Sequence, residues 1–370
     1  MALLICRSNF GARKGFAMVG AVLRSTTVTD GCKMAASAGQ RLRAFQTSSQ
    51  TLRKYSWLNY VLGERTSKKF HDRSKIFVVD GNIAVGKTTL ATKLAEKLGL
   101  HYIGEPDLHY FDRQVGDGEP LDPKFTGNVT LQKFYDDPKA KDGHTFRLQM
   151  VMYMIRYLQY SDAMEHLLST GQGVVMDRCV YSDFVFLEAI LKEGLIRRQC
   201  HEYYNEVKGI SIWRIIPPHL VIYLDAPVRV IQQRIKERGI PYEQNIQDSY
   251  LEALDEAYKK KYLTEMSETS EILQYDWTNF GDIERVVEDI DLLEFKNSPW
   301  LEQDDVALHH LRIFCSNKFK VAKSCVIPKY LPELTISAME FDAIKHEYLQ
   351  LPKMKYAKGY NEGEGSVLWK

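Results

Sequence analysis

A glycine-rich turn between a buried strand and a helix constrains this chain more than any other feature. The apolar run Ile76–Val79 is typical of a strand buried on both faces. After it come Gly81, four other residues, and then Gly86-Lys87-Thr88. Glycines at this spacing allow backbone N–H groups to converge on one anion, next to the positive end of the following helix. The pattern predicts a phosphate-binding loop, with Lys87 contacting phosphate oxygens and the Thr88 hydroxyl binding Mg²⁺.

Strand and helix patterns alternate beyond this loop. Leucines at 90, 94 and 98 follow helical spacing, and Gly99 provides a helix end. Short apolar runs predict further strands at 101–103, 174–176, 219–225 and 272–273, with helical patterns between them. Such alternation behind a phosphate loop indicates an α/β fold, a parallel sheet with helices on both faces. Ligands of such sheets bind at the carboxyl ends of the strands.

The first 50 residues differ in composition from the rest of the chain. They carry seven basic side chains and one acid, Asp30, a balance of +6; the whole chain carries +1, so the remainder sums to −5. An arginine-bearing start that is rich in Ser, Thr and Ala is typical of a mitochondrial presequence. We expect a presequence over residues 1–45 and delivery to the mitochondrial matrix; a disordered basic tail is the alternative. No basic patch in the remainder indicates nucleic-acid binding.

Composition excludes several other classes of protein. No apolar run approaches the roughly 18 residues that a membrane-spanning helix requires. The six cysteines are scattered, without a Cys-x-x-Cys pair, so neither a zinc site nor a disulfide framework is indicated. The sequence likewise shows no ligand pattern for a flavin or an iron–sulfur cluster.

Two segments flank the predicted α/β domain, which we place at residues 75–295. The arm at 46–74 is polar and basic apart from one amphipathic stretch, Tyr55–Leu62, which predicts a short surface helix on the core or on a partner. Residues 296–370 break the strand–helix rhythm and contain four prolines. We expect them to form an irregular extension that adds little to the core and whose apolar clusters a partner covers. The alternative is an extension that packs wholly on its own domain.

Candidate site residues lie at the predicted strand ends. Phosphoryl transfer requires a base for the acceptor hydroxyl, a carboxylate for the metal and arginines for the transferring charge. Glu105 follows the second strand, Asp177-Arg178 follows the third, and a basic helix carries Arg234 and Arg238. Taken singly, each of these is explained as a loop carboxylate or a solvated helix face. Together with the phosphate loop they make a kinase-type site the better hypothesis.

These motifs together resemble the deoxyribonucleoside kinase family. The family pattern Gly-Asn-Ile-x-x-Gly-Lys-Ser/Thr-Thr-Leu matches Gly81–Leu90, and its Glu-Pro matches Glu105-Pro106. Further matches are Tyr135-x-x-Pro138, the pair Gln149 and Arg156 on one helix, the run Asp177–Asp183, and a lid pattern from Arg234 to Glu243. The resemblance implies a P-loop nucleoside-kinase-like fold.

The resemblance also implies a role for each matching residue. Phosphates would be bound by Gly81, Gly86, Lys87, Thr88 and Thr89, and Mg²⁺ by Thr88 and Asp177. Glu105 would be the base that faces the nucleoside 5′-hydroxyl, and Arg234 and Arg238 would be lid arginines. The nucleoside would be contacted by Tyr135, Gln149, Arg156, Arg178, Asp183 and Glu243. The implied ligand is ATP, ADP or a deoxynucleotide with Mg²⁺.

Two departures from the family pattern bear on activity. Asp177 stands where the family has the longer Glu, and Ile240 stands where it has a lid arginine. Loss of an arginine that stabilises the transferring phosphoryl group can lower a rate by several orders of magnitude. Nucleotide binding needs only the loop, so we expect the chain to bind nucleotide even where turnover is lost.

From about residue 55 to near the C-terminus, the chain resembles a second, narrower family, the nucleoside-kinase-like accessory subunits of mitochondrial NADH:ubiquinone oxidoreductase, or complex I. The likeness is carried by stretches such as Lys133–Pro138, Leu158–Ala163, Pro217–Tyr223 and Val286–Ile290. It implies a structural subunit on the matrix side of the inner membrane that contacts other subunits of the complex, keeps a nucleotide site and has no part in electron transfer. The alternative is an active mitochondrial deoxyribonucleoside kinase, which transfers the ATP γ-phosphate to a nucleoside 5′-hydroxyl.

Overall fold

The computed structural model describes residues 55–110, 112–114, 119–296 and 298–350. The predicted presequence at 1–45, the start of the arm at 46–54 and the end of the extension at 351–370 lie outside the described residues.

Five parallel strands form one sheet in the order β2-β3-β1-β4-β5. They are β1 (Ile76–Gly81), β2 (His101–Ile103), β3 (Val174–Asp177), β4 (Leu220–Asp225) and β5 (Glu271–Asp276). All residues of β1 and β3 are buried, as their unbroken apolar runs predict, whereas the edge strand β5 is partly exposed. The predicted α/β class and the parallel sheet are confirmed.

Helices connect and cover these strands. Those before the extension are α1 (Trp57–Val61), α2 (Lys87–Leu98), α3 (Leu131–Asp136), α4 (His144–Thr170), α5 (Asp183–Lys192), α6 (Arg198–Ser211), α7 (Val228–Arg238), α8 (Asp248–Ala257), α9 (Leu263–Ser267) and α10 (Ile283–Asp291). A π-helical turn, Tyr258–Tyr262, joins α8 to α9. The extension contributes α11 (Asp305–Cys315), α12 (Lys318–Lys323) and α13 (Ala338–Gln350). In the described part of the chain, no helix combines the length and apolar character needed to cross a bilayer.

The carboxyl ends of the central strands bring the phosphate loop next to Asp177. In the sheet register Val79 pairs with Asp177 and Gly81 pairs with Leu224. Gly81 has φ +145°, and a Cβ at this position would lie 2.5 Å from the Leu224 carbonyl oxygen. Only glycine therefore allows the loop to leave β1 this close to β4.

The C-terminal extension is largely helical over its described part, and its stretch up to Leu331 adds buried residues to the core, whereas residues 332–350 are mostly exposed. This corrects the expectation of an irregular segment with little core content. The Trp300 indole N–H donates to the Pro217 carbonyl at 2.8 Å, and its ring stacks on His219. Leu308 and Val321 are fully buried in the same apolar cluster as the sheet. The helices α11 and α12 pack against α4, in which 20 of 27 residues are buried. The extension thus covers a face of α4 that would otherwise be exposed to solvent.

A buried lysine fixes this packing. Lys318 on α12 is 1% exposed, and its ammonium group lies 2.7 Å from an Asp162 oxygen and 3.0 Å from a Glu165 oxygen. It also donates to the Ser161 hydroxyl at 3.1 Å. Burial alone would lower the pKa of Lys318, but the two carboxylates outweigh burial and raise it. The group is therefore charged at neutral pH and links the extension to α4.

We expect Lys318→Ala to lower the free energy of unfolding by about 3 kcal/mol, because the substitution removes one partner from a buried ionic cluster. Urea denaturation of the full chain measures this change. Lys320→Ala is the matched control, since Lys320 is on the same helix and exposed, and it should change the free energy of unfolding by less than about 0.5 kcal/mol. Equal loss in both variants would contradict the role assigned to Lys318.

Candidate nucleotide site

One cleft lies over the carboxyl ends of β1, β2 and β3, and it has a volume of about 620 Å³. This size is in the range of small-molecule sites. Most of the residues predicted from the sequence line it: Gly86, Lys87, Thr88, Thr89, Glu105, Tyr135, Gln149, Arg156, Arg178, Arg234, Arg238 and Glu243. Gly81, Asp177 and Asp183 do not line the cleft and lie behind its wall.

The phosphate loop passes through left-handed backbone at Gly86, where glycine is favoured, and at Ala84, where it is unusual. Ala84 has φ +56° and Gly86 has φ +111°, and a Cβ added to Gly86 would lie 3.0 Å from the Phe280 ring. The buried Lys87 ammonium donates to the Asn82 carbonyl oxygen at 2.9 Å. Burial, followed by the nearby Arg178 charge, lowers the pKa of Lys87 to about 8. The loop thus holds a lysine whose charge an anionic ligand would stabilise.

Thr88 and Asp177 are suitably placed for a divalent cation. The Thr88 hydroxyl donates to one carboxylate oxygen of Asp177, and the other oxygen is buried without a hydrogen-bond partner in the described structure. Burial raises the pKa of Asp177. No three or more His, Cys, Asp or Glu side chains among the described residues form a metal-binding group. Mg²⁺ fits such a site, because it is commonly held by one or two protein oxygens together with phosphates and water.

Glu105 faces the cleft between two arginines. The Arg156 guanidinium donates to a Glu105 carboxylate oxygen at 3.0 Å, and Arg178 Nε lies 3.1 Å from the same oxygen. Burial alone would raise the pKa of Glu105, but the Arg178 and Arg156 charges outweigh burial and hold the pKa well below its usual range. The side chain is therefore ionised at neutral pH, and its low basicity weakens it as a proton acceptor.

Arg178 is anchored by residues that the sequence analysis missed. It is 2% exposed, has φ +61°, and contacts the Tyr258 hydroxyl and the Asp80 carboxylate. Tyr258 in turn donates to Asp80 at 2.8 Å. A signal for Asp80 was present, since it is the one charged residue within the apolar strand β1. Tyr258 gave no signal, because helix–sheet packing brings it into the site from a distant part of the chain.

Asp183 organises one side of the cleft from behind. It is fully buried and accepts hydrogen bonds from Gln149 at 2.8 Å, from the Tyr204 hydroxyl at 2.7 Å and from Arg156. Gln149 and Arg156 are thereby held with their side chains at the cleft. Another residue missed by the sequence analysis, Phe186, lies 4.9 Å from the guanidinium groups of both Arg156 and Arg178. Asp183 therefore positions cleft residues and does not line the cleft itself.

The lid arginines are already engaged by the protein. Arg234 donates to the carbonyl oxygens of Val85 at 2.9 Å, Trp277 at 2.9 Å and Thr278 at 3.0 Å, and it lies over the Phe280 ring. Arg238 forms an ion pair with Glu243. Both side chains line the cleft, but their charges are directed to partners within this chain.

Comparison with known proteins places this fold among nucleoside kinases. The deoxynucleoside kinase family matches residues 77–296. The chain is 49% identical over 325 residues to "NADH dehydrogenase [ubiquinone] 1 alpha subcomplex subunit 10, mitochondrial" of Bos taurus, covering 88% of this chain and 95% of that protein. It is 46% identical over 330 residues to the protein of the same name from Mus musculus, covering 89% and 93%. Among solved structures, deoxyadenosine kinase from M. mycoides with bound dATP has a TM-score of 0.46 at 20% identity, covering 59% of this chain and 99% of that chain.

The match to the kinase family spans more than half of the chain, and both mammalian subunits are matched over more than nine-tenths of their length. The chain therefore belongs to the deoxynucleoside kinase family and, within it, to the same group as these NADH dehydrogenase alpha-subcomplex subunits.

Proposed function

We propose that this chain is an accessory subunit of mitochondrial complex I, that it lies on the matrix side of the inner membrane, and that it supports assembly or stability without taking part in electron transfer. One observation carries the proposal. The likeness to the bovine and mouse complex I subunits covers 88% and 89% of this chain, well beyond the kinase-family region at 77–296. The likeness therefore includes residues of the arm or the extension. A protein that shared only the kinase core would not show similarity there.

We further propose that the subunit keeps a nucleotide, ATP, ADP or a deoxynucleotide, with Mg²⁺. The support is geometric: the loop lysine, the Thr88–Asp177 pair and the arginine-lined cleft lie together at one end of the sheet. Lys87 would contact the phosphates, Thr88 and Asp177 would hold the cation, and Gln149 and Arg156 would contact the base. Bound Mg²⁺ would neutralise phosphate charge and orient the phosphates.

Turnover is less well supported than binding. Glu105 has a depressed pKa, Arg234 and Arg238 have partners within the chain, and Ile240 provides no charge. The second candidate function, a mitochondrial deoxyribonucleoside kinase, is favoured by the presence of Glu105 in the same cleft as Gln149 and Arg156. Rearrangement of the lid would be needed before either lid arginine could stabilise a transferring phosphoryl group.

Membership of the complex is tested in cells from which the chain has been deleted. We expect loss of the chain to reduce assembled complex I, and re-expression of the wild-type chain to restore it. Native electrophoresis with an in-gel NADH dehydrogenase stain measures both. A chain that migrates only as a free protein, with normal complex I in its absence, would contradict the proposed function.

Nucleotide binding is tested on the purified full chain by calorimetry. We expect Lys87→Ala to weaken binding of a nucleoside triphosphate with Mg²⁺ by roughly tenfold or more, because it removes a charge-assisted phosphate contact. Equal affinity in wild type and variant would refute the assignment.

The pH dependence of binding provides a sharper test. Because the pKa of Lys87 in the free protein is about 8, the lysine loses its charge as the pH rises through this value. Affinity should therefore fall between pH 8 and pH 9.5, approaching tenfold per pH unit. Lys87→Arg keeps its charge over this range, so any affinity it retains should be nearly independent of pH. A wild-type affinity that is constant over this range would contradict the lowered pKa.

A further inference from the structure

The arm displays an apolar patch that the described part of this chain leaves exposed. Trp57 is 55% exposed, Leu58 39%, Val61 64% and Leu62 78%. These positions, spaced i, i+1, i+4 and i+5, lie on one side of the short helix α1 and its end. None of the five residues of α1 is buried in the described structure. We call these four residues the arm patch.

The C-terminal extension holds the arm in place. His309 on α11 forms a 2.8 Å hydrogen bond with the Tyr55 hydroxyl, and its ring lies 4.4 Å from that of Tyr60. Arg312 donates to a Glu64 carboxylate oxygen at 2.8 Å, and the Arg312 guanidinium lies over the Tyr55 ring. Through these contacts the extension presents the arm patch on a fixed support, which lowers the entropic cost of docking.

Lys69 ties the other end of the arm to the core. Its ammonium group donates to Glu64 at 2.8 Å and to the Ser169 carbonyl oxygen at 2.9 Å, next to the end of α4. Glu64 thus joins a lysine of the arm to Arg312 of the extension. The arm is therefore attached on two sides, while its four patch side chains stay exposed among the described residues.

The start of the arm, which precedes the patch in the chain, is poor in large apolar residues. With the predicted presequence removed, residues 46–54 precede the patch, and Leu52 is the one large apolar residue among them. A single leucine cannot bury a tryptophan, two leucines and a valine. Exposed apolar side chains that are clustered in this way mark interaction sites more often than isolated ones do.

The charges around the arm patch favour a protein over a lipid surface. Arg65 and Lys68 follow the patch in the chain, and neither the patch nor residues 46–56 contain an acid. The backbone N–H of Ser67 donates to Asp305 at 3.2 Å, which brings the acidic start of α11 beside these bases. Glu302 and Asp304, close to it in the chain, are exposed. An anionic bilayer would attract the bases but repel the acids, whereas a protein surface can match both signs.

We propose that the arm patch docks into an apolar groove of a neighbouring complex I subunit whose rim carries both acidic and basic side chains. The docking mode is that of a short helix in a groove, with Trp57 and Leu62 as its most exposed aromatic and aliphatic anchors. This inference rests on the proposed function and assigns the partner contact to the arm. The described extension supports that contact from behind.

The test compares two double variants of the full chain in cells that lack their own copy. Trp57→Ser with Leu62→Ser removes the anchors of the arm patch. Trp213→Ser with Leu292→Ser is the matched control, since these side chains are 68% and 80% exposed on the kinase-like core. We expect the arm variant to enter complex I at least tenfold less than wild type, at equal amounts in the matrix, and the control variant to enter normally. The purified arm variant should melt within about 2 °C of wild type.

Normal incorporation of the arm variant would overturn the proposal. So would a melting temperature several degrees below wild type, because it would mean that residues of this chain, such as 351–370, cover the patch. Binding of the purified wild-type chain, but not of the arm variant, to vesicles that contain anionic lipid would show a membrane contact instead. If the wild-type chain itself were absent from complex I, the proposed function would be contradicted, and the docking proposal with it. The wild-type sample alone shows this outcome, so it is not confused with a failure of the arm variant only.

Discussion

The site depends on one buried guanidinium group, that of Arg178. Removal of an arginine from water costs several kcal/mol unless opposite charges and hydrogen bonds surround it. Here Asp80 from the end of β1, Glu105 from the loop after β2 and Tyr258 from the π-helical turn provide those contacts. Satisfying this one charge therefore fixes the relative positions of two strand ends, a loop and a helical turn. Arg178 and Glu105 line the cleft, and the Arg178 charge helps to lower the pKa of Glu105.

The kinase-like core and the two appended segments carry different parts of the molecule's chemistry. The core brings a phosphate loop, a candidate Mg²⁺ pair and an arginine-lined cleft to one end of the sheet. The arm and the extension hold each other through Arg312, Glu64 and His309, and the extension is locked onto α4 by Lys318. The proposed nucleotide site and the proposed contact with the complex thus lie on separate surfaces of the same chain. A bound nucleotide would add stability to the core in proportion to its occupancy.

Local patterns in the sequence were enough to predict the sheet and most of the cleft. The run Ile76–Val79, the glycine spacing and the strand-end residues Glu105 and Arg178 are short-range signals, and parallel strands bring their carboxyl ends to one edge. Tyr258 and Phe186 could not be predicted in the same way, because their place in the site depends on how helices pack on the sheet. The core content of the extension was missed for a related reason. Prolines interrupt the apolar residues of the extension, so no helical pattern marks them as core. Their burial depends on packing against α4, which the local sequence does not reveal.

We propose that this subunit binds a nucleotide without turning it over. The most direct measurement uses native complex I purified through a tag on this chain. Acid denaturation followed by mass spectrometry gives the nucleotide released per chain, and incubation with ATP and deoxynucleosides gives any monophosphate formed. We expect about one nucleotide per chain and no detectable deoxynucleoside monophosphate. Absence of nucleotide, or monophosphate formation near the 1–100 s⁻¹ that is typical of kinases, would contradict the proposal.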